Sequence, residues 1–184
     1  MNNAMFHLEW LGVEKNQFRI LSLLAPTGEF TGNLSDMCRS LNIDAQTRNR
    51  NKLRQGISEL TAQGYITSSL RGRTYILKVI PAKTVIEIPV EWLHQIMQHN
   101  YSSENVSWQA VLKVLLWIIK NNEPIVTRSE IAADTNIGVD TITSALKVLE
   151  NDFYAITKEF VSIQMSNGEY RRVGLEVTPT AWWK

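Results

Sequence analysis

The chain has 184 residues, of which 44% are hydrophobic and 20% are charged, and its formal net charge at pH 7 is +1. This is the composition of an ordinary globular protein that can bury a core, and the length allows one domain or two small ones. The single cysteine, Cys38, excludes an internal disulfide and a cysteine-rich zinc site, and it is typical of a reducing cytoplasm.

Neither the N-terminus nor the apolar segments indicate export or membrane insertion. The stretch "MNNAMFHLEWLG" has no basic region followed by a long apolar run, so no signal peptide is predicted. The most apolar segment, 111–119, contains Lys113 and is shorter than the ~20 residues that a bilayer-spanning helix needs. We therefore expect a cytoplasmic protein without a membrane partner.

Positive charge is concentrated in the first half of the chain. Residues 1–80 carry ten Lys and Arg against six Asp and Glu, whereas residues 81–184 carry nine against twelve. Within residues 45–78, seven cations accompany a single acid, Glu59. This asymmetry favours nucleic acid as the partner of the first half and leaves the partner of the second half open.

Apolar spacing predicts three helices in the first half. A helix over 16–25 ends at "PTG", and a second helix over 33–41 begins at Asn33, whose side chain can cap it. The stretch "NID" is a predicted turn. A third helix over 45–63 ends before Gly64, a residue type that commonly follows a helix.

A hairpin and a connecting segment are predicted after these helices. Two strands, 65–70 and 74–80, flank "RGR", with Gly72 at the tip of the hairpin. Residues 83–105 then contain a predicted strand, a short helix and a polar stretch. We expect this segment to link two domains.

The second half is predicted to follow the same order. A long apolar helix covers 108–120, Thr127 caps a shorter helix, and "NIG" turns the chain. A third helix is predicted over 139–151. Two strands, 160–165 and 170–177, flank "SNGE", in which Asn-Gly is a strong hairpin signal.

The two halves also share a weak sequence repeat. The stretch "LSDMCRSLNIDAQT" (34–47) aligns without gaps with "RSEIAADTNIGVDT" (128–141), 94 residues later. The matching pairs are Ser35/Ser129, Asp36/Glu130, Met37/Ile131, Asn42/Asn136, Ile43/Ile137 and Thr47/Thr141. The shared order of elements is a stronger indication of a repeat than these few identities.

Helix, short helix, turn, helix and β-hairpin is an order that resembles the winged helix-turn-helix superfamily, here twice. The stretches 34–60 and 128–149, with the hairpins after them, carry the resemblance. It implies a helix-rich α+β fold made of two winged helix-turn-helix modules in tandem, each with three helices and a β-hairpin wing. The modules are expected at 1–82 and 106–184, joined by the strand–helix linker 83–105.

The basic stretch "DAQTRNRNKLRQG" is predicted to be helical rather than extended. Leu53, Ile57 and Leu60 recur at i, i+4 and i+7, the spacing of a buried helix face. A second stripe lies opposite them and consists of Arg48, Asn51, Lys52 and Gln55. Solvated charges on a helix surface would produce the same pattern, but this stripe also has the side chains that read base edges.

The resemblance implies a role for each of these residues. In a recognition helix that enters the major groove, Arg and Lys pair with guanine, and Asn and Gln pair with adenine. Arg50 and Arg54 lie nearer the apolar flank and are expected to reach phosphates. The complete set of expected DNA contacts is Gln46, Thr47, Arg48, Arg50, Asn51, Lys52, Arg54 and Gln55 on the helix and its entry, and Arg71 and Arg73 on the wing.

The corresponding stripe of the second module is nearly neutral. Asp140, near the start of its third helix, would repel phosphate unless it accepted a hydrogen bond from cytosine. Direct DNA contact and protein association are both left open for this module. A second DNA contact would involve Thr141, Thr143, Ser144, Lys147, Arg171 and Arg172.

Two features suggest association through the second module. Its helix 108–120 is apolar on more than one face, so it needs burial on several sides. The module's own core, the first module or a second chain are the three candidates to supply that burial. Trp182 and Trp183 raise the same question, although packing on their own module is the simpler use. A homodimer or a protein partner is therefore an expected possibility.

Motifs for catalysis or cofactor binding are absent from the sequence. His94 and His99 are five residues apart, not the four that place two metal ligands on one helix face. Cys38 falls on the inner face of its predicted helix, as a structural thiol does. The glycine patterns of nucleotide-binding loops are also missing. We expect no enzyme, no metal and no cofactor.

Together these expectations favour a bacterial-type protein, chromosomal, plasmid or phage, that binds duplex DNA mainly through its first module and regulates transcription. Plasmid and phage replication initiators resemble the same layout and are the first alternative. Tandem winged helices that act as protein–protein adaptors, as in accessory subunits of bacterial condensin, are the second. An adaptor does not need a basic helix stripe together with a basic wing. Because the first module has both, the adaptor alternative is disfavoured for that module.

Overall fold

The computed structural model describes residues 2–121 and 125–180 and shows an α+β protein. The chain divides into two compact units, the first ending at His99 and the second beginning at Asn100. Trp182 and Trp183 lie outside the described residues. Every helix in the described part of the chain is too short or too polar to cross a membrane.

The first unit combines helices with two small antiparallel sheets. β1 pairs with β5, and a second sheet has the strand order β2-β4-β3. In chain order the elements are β1 (Asn3–His7), a 3-10 helix (Leu8–Gly12), α1 (Lys15–Leu24), β2 (Glu29–Gly32), α2 (Leu34–Ser40), α3 (Thr47–Ala62), β3 (Ile66–Arg71), β4 (Thr74–Val79), β5 (Val85–Pro89) and α4 (Val90–Gln98).

The second unit has one antiparallel sheet, with the strand order β6-β8-β7. Its elements are α5 (Trp108–Lys120), β6 (Ile125–Val126), α6 (Arg128–Thr135), α7 (Val139–Asn151), β7 (Ile156–Gln164) and β8 (Tyr170–Pro179). Both units therefore repeat one order: a helix, a strand, two helices and a hairpin. In both, the second strand of the hairpin is the middle strand of the sheet.

The predicted helices are confirmed to within two residues at each end. The spacing of Leu53, Ile57 and Leu60 is confirmed as a helical inner face, because all three are buried in α3. β1, β2 and β6 were not predicted. β2 and β6 have four and two residues and give no alternating pattern to detect, and β1 depends on a partner strand far away in the sequence.

The segment predicted as a linker, residues 83–105, is divided between the units. β5 pairs with β1, with Ile86 opposite Phe6 and Ile88 opposite Ala4, and these four side chains are buried. α4 follows directly and also buries apolar side chains. Residues up to His99 thus belong to the first unit, because its core needs the apolar face of this strand and helix.

The short helices α2 and α6 begin with the same capping arrangement. The Asn33 side chain accepts hydrogen bonds from the backbone N–H groups of Ser35 and Asp36, and the Asp36 carboxylate accepts one from the Asn33 backbone N–H. Thr127 and Glu130 form the same reciprocal pair at α6. These hydrogen bonds from Thr127 lower the pKa of Glu130. Each pair satisfies backbone donors that a helix start leaves unpaired.

The turn after each short helix is also repeated. Asn42 and Asn136, which are 94 residues apart, adopt left-handed backbone conformations with φ of 51° and 54°. Asparagine tolerates this conformation better than most residues other than glycine. Two matched pairs of the sequence repeat, Asp36/Glu130 and Asn42/Asn136, thus correspond to a matched cap and a matched turn in the structure.

The apolar helix α5 is buried almost completely. It packs against α6, α7 and β8 of its own unit, the first of the three sources of burial that the sequence left open. Two polar side chains of α5 have partners within that unit: Lys113 Nζ donates to the Thr135 carbonyl at 2.9 Å, and Trp117 Nε1 donates to Asp134 Oδ2 at 2.8 Å.

Candidate nucleic-acid interface

The basic helix α3 is held close against α1. Gly56 faces α1, and a Cβ atom at this position would lie 2.8 Å from the Ile20 Cδ1 atom. A glycine here allows the close approach, while the three buried side chains on the same side fix the rotation of the helix. The cations of α3 are therefore directed away from the core.

An open groove of about 610 Å³ lies between the start of α2, the first half of α3 and the hairpin β3–β4. Thr47, Arg50, Asn51 and Arg54 line it from α3. The hairpin contributes Arg73 and Tyr75 among others, and α2 contributes Arg39. The groove thus gathers basic and hydrogen-bonding side chains from three elements at one place.

Two arginines of the groove are oriented by neighbours on the same helix. Arg54 Nη1 donates to Asn51 Oδ1 at 2.8 Å, and Arg50 Nη2 lies 3.4 Å from Thr47 Oγ1. Within the described residues, neither these two arginines nor Arg73 has an acidic partner. Their charges are left to attract an anion in the groove.

Asp36, an acidic residue that lines the groove, already has partners on α2 and at its cap. Asp36 accepts from the Asn33 backbone N–H and forms an ion pair with Arg39, with 3.4 Å between Oδ1 and Nη1. That pair lies at the α2 side of the groove. Positive charge therefore prevails on the α3 side and at the hairpin.

The structure divides the predicted helix stripe. Asn51 lines the groove, whereas Arg48 and Lys52 are exposed and lie outside its lining. Gln55 donates to Glu59 Oε1 at 2.7 Å, and its amide is thereby engaged along the helix. The groove lies on the Arg50 side of α3, because the hairpin β3–β4 is on that side. Helix periodicity alone did not predict on which side the hairpin would lie.

The other predicted contacts lie around the same helix. Gln46 is the N-terminal cap position of α3, but its side chain makes no capping hydrogen bond. Thr47 is the first helical residue. Arg71 is exposed on β3, and its side chain forms no hydrogen bond or ion pair with any described residue. Gly72 has a φ of 63°, which permits the tight turn next to it.

Several site residues were not predicted from the sequence. Arg39 and Tyr75 line the groove from elements that carry no basic run, so the sequence contained no local signal for them. Lys15 and Arg19 of α1 lie near Lys52. Burial, together with the charges of Arg19 and Lys52, lowers the pKa of Lys15.

Other residue types occupy the α7 positions that correspond to the four cations of α3. Counted from the first residue of each helix, the pairs are Arg48/Asp140, Arg50/Ile142, Lys52/Ser144 and Arg54/Leu146. Ile142 and Leu146 are buried. Counted from the matched asparagines Asn42 and Asn136, α7 begins two residues earlier than α3, so Thr141 is the third residue of its helix, whereas Thr47 is the first.

Most cations near α7 have partners in their own unit. Arg171 is an exception, because its side chain forms no hydrogen bond or ion pair with any described residue. The contacts are an ion pair of Lys147 with Glu104 at 2.9 Å, an ion pair of Lys158 with Glu150, a hydrogen bond from Arg128 to Thr143 at 2.9 Å, and Arg172 over the Phe160 ring at 4.2 Å. Thr143 and Ser144 line a separate, smaller cleft of about 300 Å³.

A search of the described residues for groups of three or more His, Cys, Asp or Glu side chains that could hold a metal ion finds none. Comparison of the chain with protein-family models and with curated proteins finds no match.

Proposed function

We propose that this chain is a DNA-binding protein made of two winged helix-turn-helix modules, and that it binds duplex DNA through α3 and the hairpin β3–β4. The observation that carries the proposal is the groove in which Arg50, Arg54 and Arg73 meet without acidic partners among the described residues. The cellular role that we propose is regulation of transcription in a bacterial-type cytoplasm.

The repeated order of elements supports the fold part of the proposal. In both units the strand between the first two helices pairs with the second strand of the hairpin, and the two following helices are joined by a short turn. This is the arrangement expected of a winged helix-turn-helix module. The matching caps and asparagine turns support a common origin of the two units.

The chemistry of α3 suits a helix that enters the major groove. Asn51 offers the amide that pairs with adenine, and exposed Arg48 offers the fork that pairs with guanine, each contact being worth about 1–3 kcal/mol of discrimination. Arg50, Arg54 and Arg73 are positioned on the hairpin side, where phosphates would pass. Arg71 adds a further charge at the hairpin tip.

For the second unit we propose a lesser role in DNA contact. α7 places Asp140, Ile142, Ser144 and Leu146 where α3 has cations, and its neighbouring cations are engaged in contacts of their own. Contact through Arg171 remains part of the proposal. Replication initiation is the alternative use of the same DNA-binding surface, and binding sites repeated in tandem near an origin would favour it over a promoter operator.

The test is a titration of fluorescent duplex DNA across a salt series, with a random duplex and the DNA upstream of the gene as targets. Four to six phosphate contacts predict a slope of log K against log salt of roughly −4 to −5. Arg50→Ala/Arg54→Ala should flatten this slope by about two, because two phosphate contacts are lost. A preference for the upstream DNA would establish sequence-specific binding.

A matched control removes the same total charge elsewhere. Lys83→Ala/Lys120→Ala takes away two exposed cations that do not line the groove, and it should leave the slope unchanged. Absence of binding to either duplex at low salt, or equal slopes for the two double variants, would contradict the proposal.

A further inference from the structure

β7 is an open edge strand of nine residues. It is the last strand in the order β6-β8-β7, and its residues are largely exposed from Thr157 to the tip of the hairpin. Every second residue of such an edge directs its backbone N–H and C=O groups away from the sheet. An antiparallel strand from another chain would satisfy these groups.

Two of the features that usually protect an edge, an unpaired lysine and a proline, are absent from β7, although its pairing with β8 is irregular between Val161 and Ser162. Its lysine, Lys158, is engaged in an ion pair with Glu150, so its charge is neutralised within the unit. The stretch 160–165, "FVSIQM", contains no charge and no proline. Phe160 and Ile163 are 56% and 49% exposed, and Met165, Tyr170 and Val173 are also exposed on the same hairpin. Several large apolar side chains exposed on one hairpin favour a role in association.

The hairpin carries acidic side chains away from its tip and a basic side chain, Arg171, closer to the tip. Glu159 lies directly opposite Glu176 on the neighbouring strand, a like-charge pair that is unfavourable by itself. Arg171 lies opposite Ile163, toward the tip of the hairpin. Within the described residues, none of these three charged side chains forms a hydrogen bond or an ion pair.

An antiparallel pairing of two β7 strands centred on Val161 brings the acidic and basic side chains of the two copies toward each other. It places Glu159 of one copy opposite Ile163 of the second copy, whose neighbour across the hairpin is Arg171. The two-fold axis repeats this arrangement, so Arg171 of each hairpin comes near Glu159 of the other. Val161 and Ile163 of both copies then share one face of a continuous sheet.

We propose that β7 is a self-association edge through which two copies of this chain form a symmetric dimer. The surface belongs to the second unit alone and does not rest on the proposed DNA binding. A dimer would contain two DNA-binding modules of this kind. Such a dimer would be expected to bind an operator with two half-sites.

The experiment is analytical ultracentrifugation of the full chain over a concentration series, with two charge reversals. Arg171→Glu makes the charges at this edge acidic, and Glu159→Lys/Glu176→Lys makes them basic. Each variant alone should raise the dimer dissociation constant by about tenfold or more, because repulsion is repeated across the two-fold axis. An equimolar mixture of the two variants should restore association, since opposite charges then face each other.

The controls separate this surface from the DNA-binding groove. Arg73→Glu in the hairpin β3–β4 should weaken DNA binding and leave self-association unchanged, and circular dichroism should show that every variant is folded. A wild-type chain that stays monomeric at the highest soluble concentration would overturn the proposal. So would a dimer that neither reversal weakens, or a mixture of the two variants that fails to associate.

Discussion

His7 and Trp10 are the polar members of an aromatic cluster in the core of the first unit. Their rings stack with 4.3 Å between centroids, and Phe6 meets Trp10 edge-on at 6.1 Å. His7 is 6% exposed, and burial lowers its pKa from 6.5, with the charge of Glu9 opposing that effect in part. The imidazole is therefore held in its neutral form at neutral pH.

Acidification is expected to destabilise the first unit through His7. Its pKa is lower in the folded chain than the unfolded value of 6.5, so the unfolded chain binds more protons between the two values. The contribution of neutral His7 to the free energy of unfolding is fully present above pH 6.5. It is lost as the pH falls through the pKa of His7 in the folded chain. Urea unfolding at neutral pH and at about pH 5 measures the loss.

The variant His7→Phe serves as the control for this prediction. It keeps an aromatic ring against Trp10 but cannot be protonated, so its unfolding free energy should fall less between the two pH values than that of the wild type. An identical fall in both proteins would assign the acid sensitivity to other groups.

At the scale of elements, α2 and α6 are short helices whose beginnings are held by side chains. With only seven and eight residues, each has few internal hydrogen bonds, so its start depends strongly on the cap. The start of α2 also borders the groove, because Asn33 and Asp36 line it. The cap thus connects helix stability to the shape of the candidate interface.

Removal of a cap should cost each helix a similar free energy. Asn33→Ala and Thr127→Ala are each expected to lower the free energy of unfolding by about 1 kcal/mol, because backbone N–H groups lose their acceptor. Chemical denaturation of the full chain measures both. Asn33→Ser retains an acceptor oxygen and should cost much less. If it costs as much as Asn33→Ala, the side chain does not hold the start of α2.

For the whole molecule, the formal net charge of +1 conceals two units with different charge arrangements. α3 and its hairpin carry cations without acidic partners among the described residues, whereas most cations around α7 are paired. Counterion release depends on cations that reach phosphate, not on the net charge. The two units are therefore expected to contribute unequally to binding, although they share one order of elements.

A comparison of the two hairpins tests this asymmetry. Arg71→Ala/Arg73→Ala should flatten the dependence of DNA affinity on salt by about two, because both cations belong to the proposed interface. Arg171→Ala/Arg172→Ala removes the same charge from the second hairpin and should change the slope by no more than about one, because only Arg171 is proposed to contact DNA there. Equal effects, measured in the same salt series, would show that both units engage DNA to a similar extent.

Much of the secondary structure was predictable from short-range patterns. The bounds of α5 and α7 match their predicted ranges, because long apolar periodicity defines a helix without reference to distant residues. The hairpin tips followed from Gly72 and from the Asn-Gly pair. β6 was missed because two residues form a strand there only through their pairing with β8.

The candidate site was predictable in part. Arg50, Asn51 and Arg54 were assigned to the correct helix, but the sequence placed the main stripe around Arg48 and Lys52. Periodicity gives the angle of each side chain around α3 relative to its buried face. It does not indicate on which flank a hairpin will pack, and that packing decides which residues line the groove.

The sequence by itself determined the helices, their caps, the turns and the uneven charge, because each depends on residues close together in the chain. The tertiary structure decided three further features: the pairing of β1 with β5, the burial of α5 by its own unit, and the side of α3 that faces the groove. Each of these results from contacts between distant segments, where the shape and volume of packed side chains select one arrangement.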